Sequence, residues 1–278
     1  MATTLQPDVT RVLAPLAEHP ATTAVITDFD GTLAPIVLDP AGARPLEGAV
    51  DAMARLAQRF GVVAVVSGRP APFLLDRIAS GGDATVRPAG PSSIRVVGLY
   101  GLEWAGDDGE IIVDPAVERW RPVVGAAADR LRAAAPSDVE VEPKGLAVTV
   151  HWRRAPGAAD WVIAAVEAEA ASTGLRSHPA RMSVELRPPI AADKGSAVRA
   201  LTAGCSAACY LGDDVGDLPA FAALAELAST DGLFTASIAA VDDESPPEVA
   251  EAADVVVPGP LGALAVLEWL AGPPPAFR

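Results

Sequence analysis

Asp28 and Asp30 follow directly on an apolar run in the stretch AVITDFDGTLAPI, Ala24 to Ile36, and are trailed by Gly31 and Thr32. Two carboxylates two residues apart repel each other, so the pair implies a balancing cation or a chemical task. An Asp-x-Asp-x-Thr spacing after a strand suits phosphoryl transfer. One carboxylate attacks phosphorus and forms an aspartyl-phosphate. The other protonates the leaving oxygen and later deprotonates water. Mg2+ suits the excess charge, because it prefers carboxylate oxygen and water. Elsewhere Asp213 and Asp214 offer two more carboxylates, Lys194 a positive charge and Ser67 a hydroxyl for a phosphate oxygen. Such a site works by positioning and charge neutralisation. Each residue also has a plainer reading: turn acids or helix caps for Asp28 and Asp30, a turn for the Gly-Asp-Asp, a helix N-cap for Ser67, solvated charge for Lys194.

The elements that position these residues are short apolar runs alternating with helical patterns. Ala24–Thr27, Val62–Val66, Ala208–Gly212 and Asp254–Pro258 read as buried strands. PLEGAVDAMARLAQRF sets Val50, Met53, Leu56, Ala57 and Phe60 at helical spacing. The alternation implies an α/β fold with a mostly parallel sheet covered on both faces. Ligands of such sheets sit beyond the carboxyl ends of the strands. Asp28, Ser67 and Asp213 each come just after a strand, so all three are expected in one crevice.

The middle of the chain has a different period. LAVTVHWR sets Val148, Val150 and Trp152 against Thr149, His151 and Arg153, and RMSVELR sets Met182, Val184 and Leu186 against Arg181, Ser183, Glu185 and Arg187. This is the pattern of half-exposed antiparallel strands. With helical stretches around Pro122–Ala134 and Ala158–Ser172, residues 105–188 read as a small α+β domain inserted into a larger core of residues 1–104 and 189–278.

Composition narrows the partners. Of 278 residues 50% are hydrophobic, enough for a sizeable core, and the formal net charge is −15. That argues against nucleic acid or anionic membrane as a bulk partner, since both need basic surface. A small anionic substrate needs only a local cationic pocket. The two cysteines, Cys205 and Cys209, form no disulfide framework or metal cluster and read as reduced thiols of a cytoplasmic protein. No signal-peptide pattern and no membrane-length apolar run is expected. His151, His178, both cysteines and the five tryptophans receive no functional role.

DFDGTLAPI, VVSGRP, DKGSAV and YLGDDVGD, in that order, resemble the four motifs of the haloacid dehalogenase (HAD) phosphatase superfamily. Within it, GLYGLEW, EPKGLAVTVHWR and RMSVELRPPIAADKGSA are similar to the trehalose-6-phosphate phosphatase family, the likeness running from Thr23 to Phe221. The resemblance implies a Rossmann-like HAD core with an inserted cap that selects substrate. It makes Asp28 the nucleophile and Asp30 the general acid/base. It gives Mg2+ to Asp28, the main-chain carbonyl of Asp30 and Asp213, with Asp214 in support, and the transferring phosphoryl to Ser67 and Lys194. Glu142, Lys144, Arg153 and Glu185 would grip the sugar, with Arg181 and Arg69 joining the substrate-binding set. The substrate would be a small-molecule sugar phosphate, trehalose 6-phosphate, and a trehalose-phosphate synthase a partner.

The chain departs from the family pattern at three positions: Gly216 stands where Thr is usual, Leu218 where Glu is usual and Tyr100 where His is usual. These bear on substrate identity more than on chemistry. They keep open another phosphorylated disaccharide or pseudo-disaccharide, beside a non-catalytic module that binds sugar phosphate.

Overall fold

The computed structural model describes residues 5–37, 39–80, 94–106, 108–180, 182–243 and 245–272. The chain forms two compact units, Met1–Ile111 with Asp193–Arg278, and Ile112–Ala192. Its strands are β1 (Thr23–Thr27), β2 (Val62–Val66), β3 (Arg95–Gly98), β4 (Glu103–Ala105), β5 (Ile111–Val113), β6 (Glu140–Pro143), β7 (Val148–His151), β8 (Arg176–Ala180), β9 (Ser183–Arg187), β10 (Ala207–Gly212), β11 (Phe234–Val241) and β12 (Val255–Pro258).

The larger sheet runs β12-β11-β10-β1-β2-β3-β4-β5. Its strands pair in parallel from β12 through to β3, and β4 returns antiparallel. Parallel strands need crossovers that cover both faces, which is why β1, β2 and β10 are buried at every position and read as unbroken apolar runs. Alternate side chains enter separate cores. Val25, Val63, Val65, Cys209 and Leu211 join Met53 and Leu56 of the helix Ala49–Ala57 and the C-terminal helix Gly259–Ala271. Ala24, Ile26, Ala64, Ala208 and Tyr210 face the helices Lys194–Leu201 and Leu218–Asp231.

From β1 the chain proceeds through β2 and β3 to one side, whereas β10, β11 and β12 build the other side. The order reverses between β1 and β10, and a crevice opens beyond the carboxyl ends of strands at such a reversal. Thr27 pairs with Leu211, and the Asp28 N–H donates to the Leu211 carbonyl at 2.8 Å, so Asp28 and Asp213 are neighbours at that point.

The second unit holds an antiparallel sheet, β6-β7-β9-β8. Val148, Val150, Val184 and Leu186 pack one face against Val124, Ala128 and Leu131 of the helix Arg121–Ala134 and Val162 and Val166 of the helix Ala159–Thr173. The register sets Glu142 opposite Thr149, Thr149 opposite Glu185 and His178 opposite Glu185, a polar row across the other face.

Leu56 is fully buried between its helix and the sheet. Leu56→Ala is expected to lower the free energy of unfolding by about 2–5 kcal/mol. Urea denaturation measures it, and a change smaller than about 0.5 kcal/mol, typical of a surface position, would exclude Leu56 from the core.

Candidate active site

At the reversal three buried carboxylates, Asp28, Asp213 and Asp217, offer oxygens that all lie within 4.8 Å of one another. Two local features allow the approach. Gly31 takes a left-handed conformation, φ 77°, and a β-carbon there would overlap the Asp213 carboxylate. The Thr32 hydroxyl donates to Asp213 Oδ1 at 3.3 Å, tying the loop after β1 to the end of β10.

Lys194, the first residue of its helix and also buried, supplies the cation. Its Nζ lies 2.9 Å from Asp28 Oδ2 and 2.6 Å from Asp217 Oδ1. The helix start is fixed by Asp193, whose side chain accepts from the Ser196 N–H at 2.7 Å while the Ser196 hydroxyl accepts from the Asp193 N–H at 3.1 Å. That reciprocal capping sets where Lys194 begins.

Asp217 has a different role from the other two. Its Oδ1 accepts from Lys194 and from the Tyr210 hydroxyl, each at 2.6 Å, and its Oδ2 accepts from the N–H groups of Asp213 at 2.9 Å and Asp214 at 3.1 Å. All its acceptor directions are engaged, so Asp217 anchors the others. Asp28 Oδ1, by contrast, is a buried oxygen with no hydrogen-bond partner. A buried polar atom of that kind calls for an explanation. Exclusively oxygen donors and an excess of negative charge fit a hard divalent cation held by Asp28 and Asp213.

The electrostatics agree. Burial raises the Asp28 carboxyl well above the usual carboxylate range; Lys194 opposes the shift, and Asp217 and Asp214 add to it. Asp213 is raised in the same way by burial, then by Asp217, Asp28 and Asp214. For Lys194, burial alone would lower the pKa, but Asp217 and Asp28 outweigh it and hold the ammonium well above the ordinary lysine value.

The remaining sequence candidates lie as follows. Asp30, two residues beyond Asp28, is gripped by Arg69: Nε donates to Oδ2 at 2.7 Å and Nη2 to Oδ1 at 2.9 Å. Ser67 is buried at the end of β2 and its hydroxyl oxygen accepts from the Arg69 N–H at 3.2 Å. Asp214 turns to its own chain, where Oδ1 accepts from the Gly216 N–H at 2.7 Å. Tyr100, φ 61°, lies over Gly68, where any β-carbon would overlap its phenol.

The second unit brings Glu142, Lys144 and Glu185 together. Lys144 Nζ lies 3.1 Å from Glu185 Oε1 and 3.7 Å from Glu142 Oε2. The Thr149 hydroxyl donates to Glu185 Oε1 at 2.9 Å, and Arg187 Nε stands 3.4 Å from Glu185 Oε2. Burial alone would raise the Glu185 carboxyl, but Lys144, Arg187 and the Thr149 hydroxyl prevail and lower it. His151 Nε2 lies 2.9 Å from Glu142 Oε2. Arg153 lies half-buried in the turn after β7, and among the described residues no hydrogen bond or ion pair joins it to this group. Arg181 lies outside the described residues.

Sequence reasoning assigned no role to Asp217, Thr149 or His151. For Asp217 a signal existed: it falls three residues after Asp214, a spacing that lets each side chain cap the other's backbone. Thr149 and His151 could have been found from β7's alternation, which puts them on the polar face with Glu142 and Glu185.

A mostly parallel sheet with carboxylates at the strand-order reversal and an antiparallel unit interrupting the chain defines the fold of haloacid dehalogenase-like hydrolases. Residues 26–80 and 94–254 match the Trehalose-phosphatase family, and the chain belongs to that family. It is 38% identical over 216 residues to a trehalose-phosphate phosphatase of Mycolicibacterium paratuberculosis, covering 74% of this chain and 51% of that one. The chain thus spans about half the length of the curated relatives it matches. The C-terminal domain of the Candida albicans trehalose-6-phosphate phosphatase superposes with a TM-score of 0.75 at 20% identity, over 97% of this chain and 98% of that one. A trehalose-6-phosphate phosphatase related protein gives 0.70 at 22% identity, over 89% and 97%. Among the described residues no helix is long and apolar enough to cross a membrane.

The raised carboxyls make the site's stability depend on pH. Above the usual carboxylate range the folded chain binds more protons at Asp28 and Asp213 than the unfolded one, so stability falls as pH rises through that window. Lys194 does not offset this slope. Its raised pKa contributes stability that is fully present below the ordinary lysine value and is lost only at alkaline pH. A divalent cation relieves the carboxylate repulsion. The thermal midpoint with cation should exceed that with chelator, by a margin that grows from about pH 5 to about pH 8. A margin that shrinks with pH would place the cation elsewhere.

Proposed function

We propose that the chain is a Mg2+-dependent phosphatase that removes phosphate from trehalose 6-phosphate through an aspartyl-phosphate intermediate. The observation that carries this is Asp28: a buried carboxylate with one oxygen held by Lys194 and the other without a partner. A nucleophile needs that orientation, one oxygen fixed and one presented to phosphorus. Asp28 Oδ1 forms the new P–O bond as the bond from phosphorus to the sugar oxygen breaks. Asp30 delivers a proton to that oxygen, then takes one from the water that attacks the aspartyl-phosphate, and Asp28 is regenerated.

Lys194 and the Ser67 hydroxyl would meet the charge on the transferring phosphoryl oxygens. Mg2+, held by Asp28 and Asp213, would neutralise phosphate charge. Arg69 aims Asp30, and both Asp30 oxygens accept from it, which suits the base half of the cycle. Arg69 passing to the substrate would free Asp30 to carry the proton of the acid half. Two free thiols, Cys205 and Cys209, support a reducing, cytoplasmic setting.

Phosphate recognition cannot tell one sugar phosphate from another. We assign that choice to the second unit, where Glu142 and Glu185 accept and Lys144 donates, as sugar hydroxyls require. Tyr100 over Gly68 motivates a second reading, another phosphorylated disaccharide, and a panel of sugar phosphates separates the two.

Asp28→Asn keeps the side-chain shape and removes the nucleophile. Phosphate release is expected to vanish while circular dichroism stays native; near-normal turnover by a folded variant would take Asp28 out of the reaction. Glu185→Ala should cost about 2–4 kcal/mol of transition-state binding for trehalose 6-phosphate and hardly affect a small aryl phosphate. The measurement is kcat/KM for both substrates, and an equal loss on both would show that Glu185 supports the fold instead.

A further inference from the structure

Tyr210 lies on β10 at a position with no exposure, in a strand buried along its whole length. Its ring meets Phe221 edge-on, with centroids 6.0 Å apart at 76°, among apolar neighbours that include Ile26 and Val198. A phenylalanine would pack there as well, so packing does not account for the hydroxyl. That hydroxyl donates to Asp217 Oδ1 at 2.6 Å, the same oxygen that accepts from Lys194 Nζ at 2.6 Å. Burial, with Asp217 beside it, keeps the phenol well above the ordinary tyrosine pKa, so it acts as a donor.

We propose that Tyr210 is a positioning residue of the phosphoryl-transfer site: by sharing Asp217 Oδ1 it holds the Lys194 ammonium toward Asp28. Asp217 cannot turn away, because its Oδ2 is fixed by two backbone N–H groups. Without the phenol, the whole attraction of Oδ1 falls on Lys194, which already stands closer to Asp217, 2.6 Å, than to Asp28, 2.9 Å. The ammonium draws back, and the developing charge on the phosphoryl oxygens loses a donor that matters most in the transition state. This rests on the reading of Asp28 as nucleophile and Lys194 as the phosphoryl's cation.

The test compares Tyr210→Phe, which removes only the hydroxyl, with Phe221→Leu, which disturbs the ring's packing and keeps the hydroxyl. With an aryl phosphate and Mg2+, Tyr210→Phe should lower kcat about tenfold, with KM within about twofold. Inhibition by orthovanadate, a mimic of the pentacoordinate phosphoryl, should weaken by a similar factor. Phe221→Leu should lower the thermal midpoint and leave kcat unchanged. In an Asp217→Asn background Tyr210→Phe should have no further effect, because the phenol acts through Asp217. An unchanged kcat in folded Tyr210→Phe, an additive loss with Asp217→Asn, or an equal kcat loss in Phe221→Leu overturns the proposal.

Asp28→Asn separates it from the reading beneath it. Retained turnover there removes the site assignment itself, whereas an inactive Asp28→Asn beside a fully active Tyr210→Phe removes only Tyr210. Should Tyr210→Phe fail to fold, 3-fluorotyrosine in the otherwise native chain decides. The chain has two tyrosines, so two fluorine signals arise, and Tyr100→Phe identifies them. Orthovanadate should shift the Tyr210 signal, and an unmoved signal overturns the proposal.

Discussion

Lys194 between Asp28 and Asp217 is the contact on which the core's site depends. One ammonium is shared by two buried carboxylates while a third, Asp213, stands beside them, so the crevice carries more negative charge than it can neutralise. An uncompensated buried charge is among the most destabilising features a fold can hold. Here it is tolerated because each member is pinned: Asp217 by four donors, Asp213 by Thr32, Lys194 by its capped helix start. The imbalance left over is what makes the site receptive to a divalent cation, and it leaves one Asp28 oxygen unclaimed.

The second unit solves a related problem in the opposite sense. Glu185 is almost fully buried, yet Lys144, Arg187 and Thr149 surround it, and its carboxyl is driven toward the charged form. Nothing in that row is short of counter-charge. A face balanced in charge, with Glu185 Oε2 still accepting no hydrogen bond among the described residues, suits recognition of neutral polar groups. A ligand that engages Glu185 and Lys144 must replace contacts they already make, so selectivity comes from matching the whole row.

The parts of this architecture that sequence displays are those whose cause is local. β1, β2 and β10 are apolar because both their faces are covered, so their limits could be read to within one residue. β7 and β9 alternate because one face packs on helices. β11, FTASIAAV, carries no such signature: its core positions are mostly alanine, with Ser237 in the ladder, and small residues carry little strand signal. β6 and β8 are defined by cross-strand pairing more than by their own residues. At the site, Asp28 and Asp213 stood out because each ends a strand. Asp217 has only a cap spacing from Asp214 to mark it, because its work is to receive a lysine 23 residues earlier in the chain, a relation the local pattern does not encode. The pairing of Arg69 with Asp30, 39 residues apart, is hidden for the same reason.

β1 and β10 are adjacent in the sheet, and the Thr32–Asp213 hydrogen bond across their ends joins residues 181 apart in sequence. During synthesis the ribosome releases β1 long before β10 exists, and the intervening residues include the entire second unit, which has a core of its own. A nascent chain that ends before Asp213 lacks two of the three clustered carboxylates and the anchor for Lys194. Until then β1 presents an unpaired edge on the side that β10 will fill. Contacts closed over so long a loop form slowly, so the core's carboxylate cluster is complete only after residue 217 of the 278 has emerged.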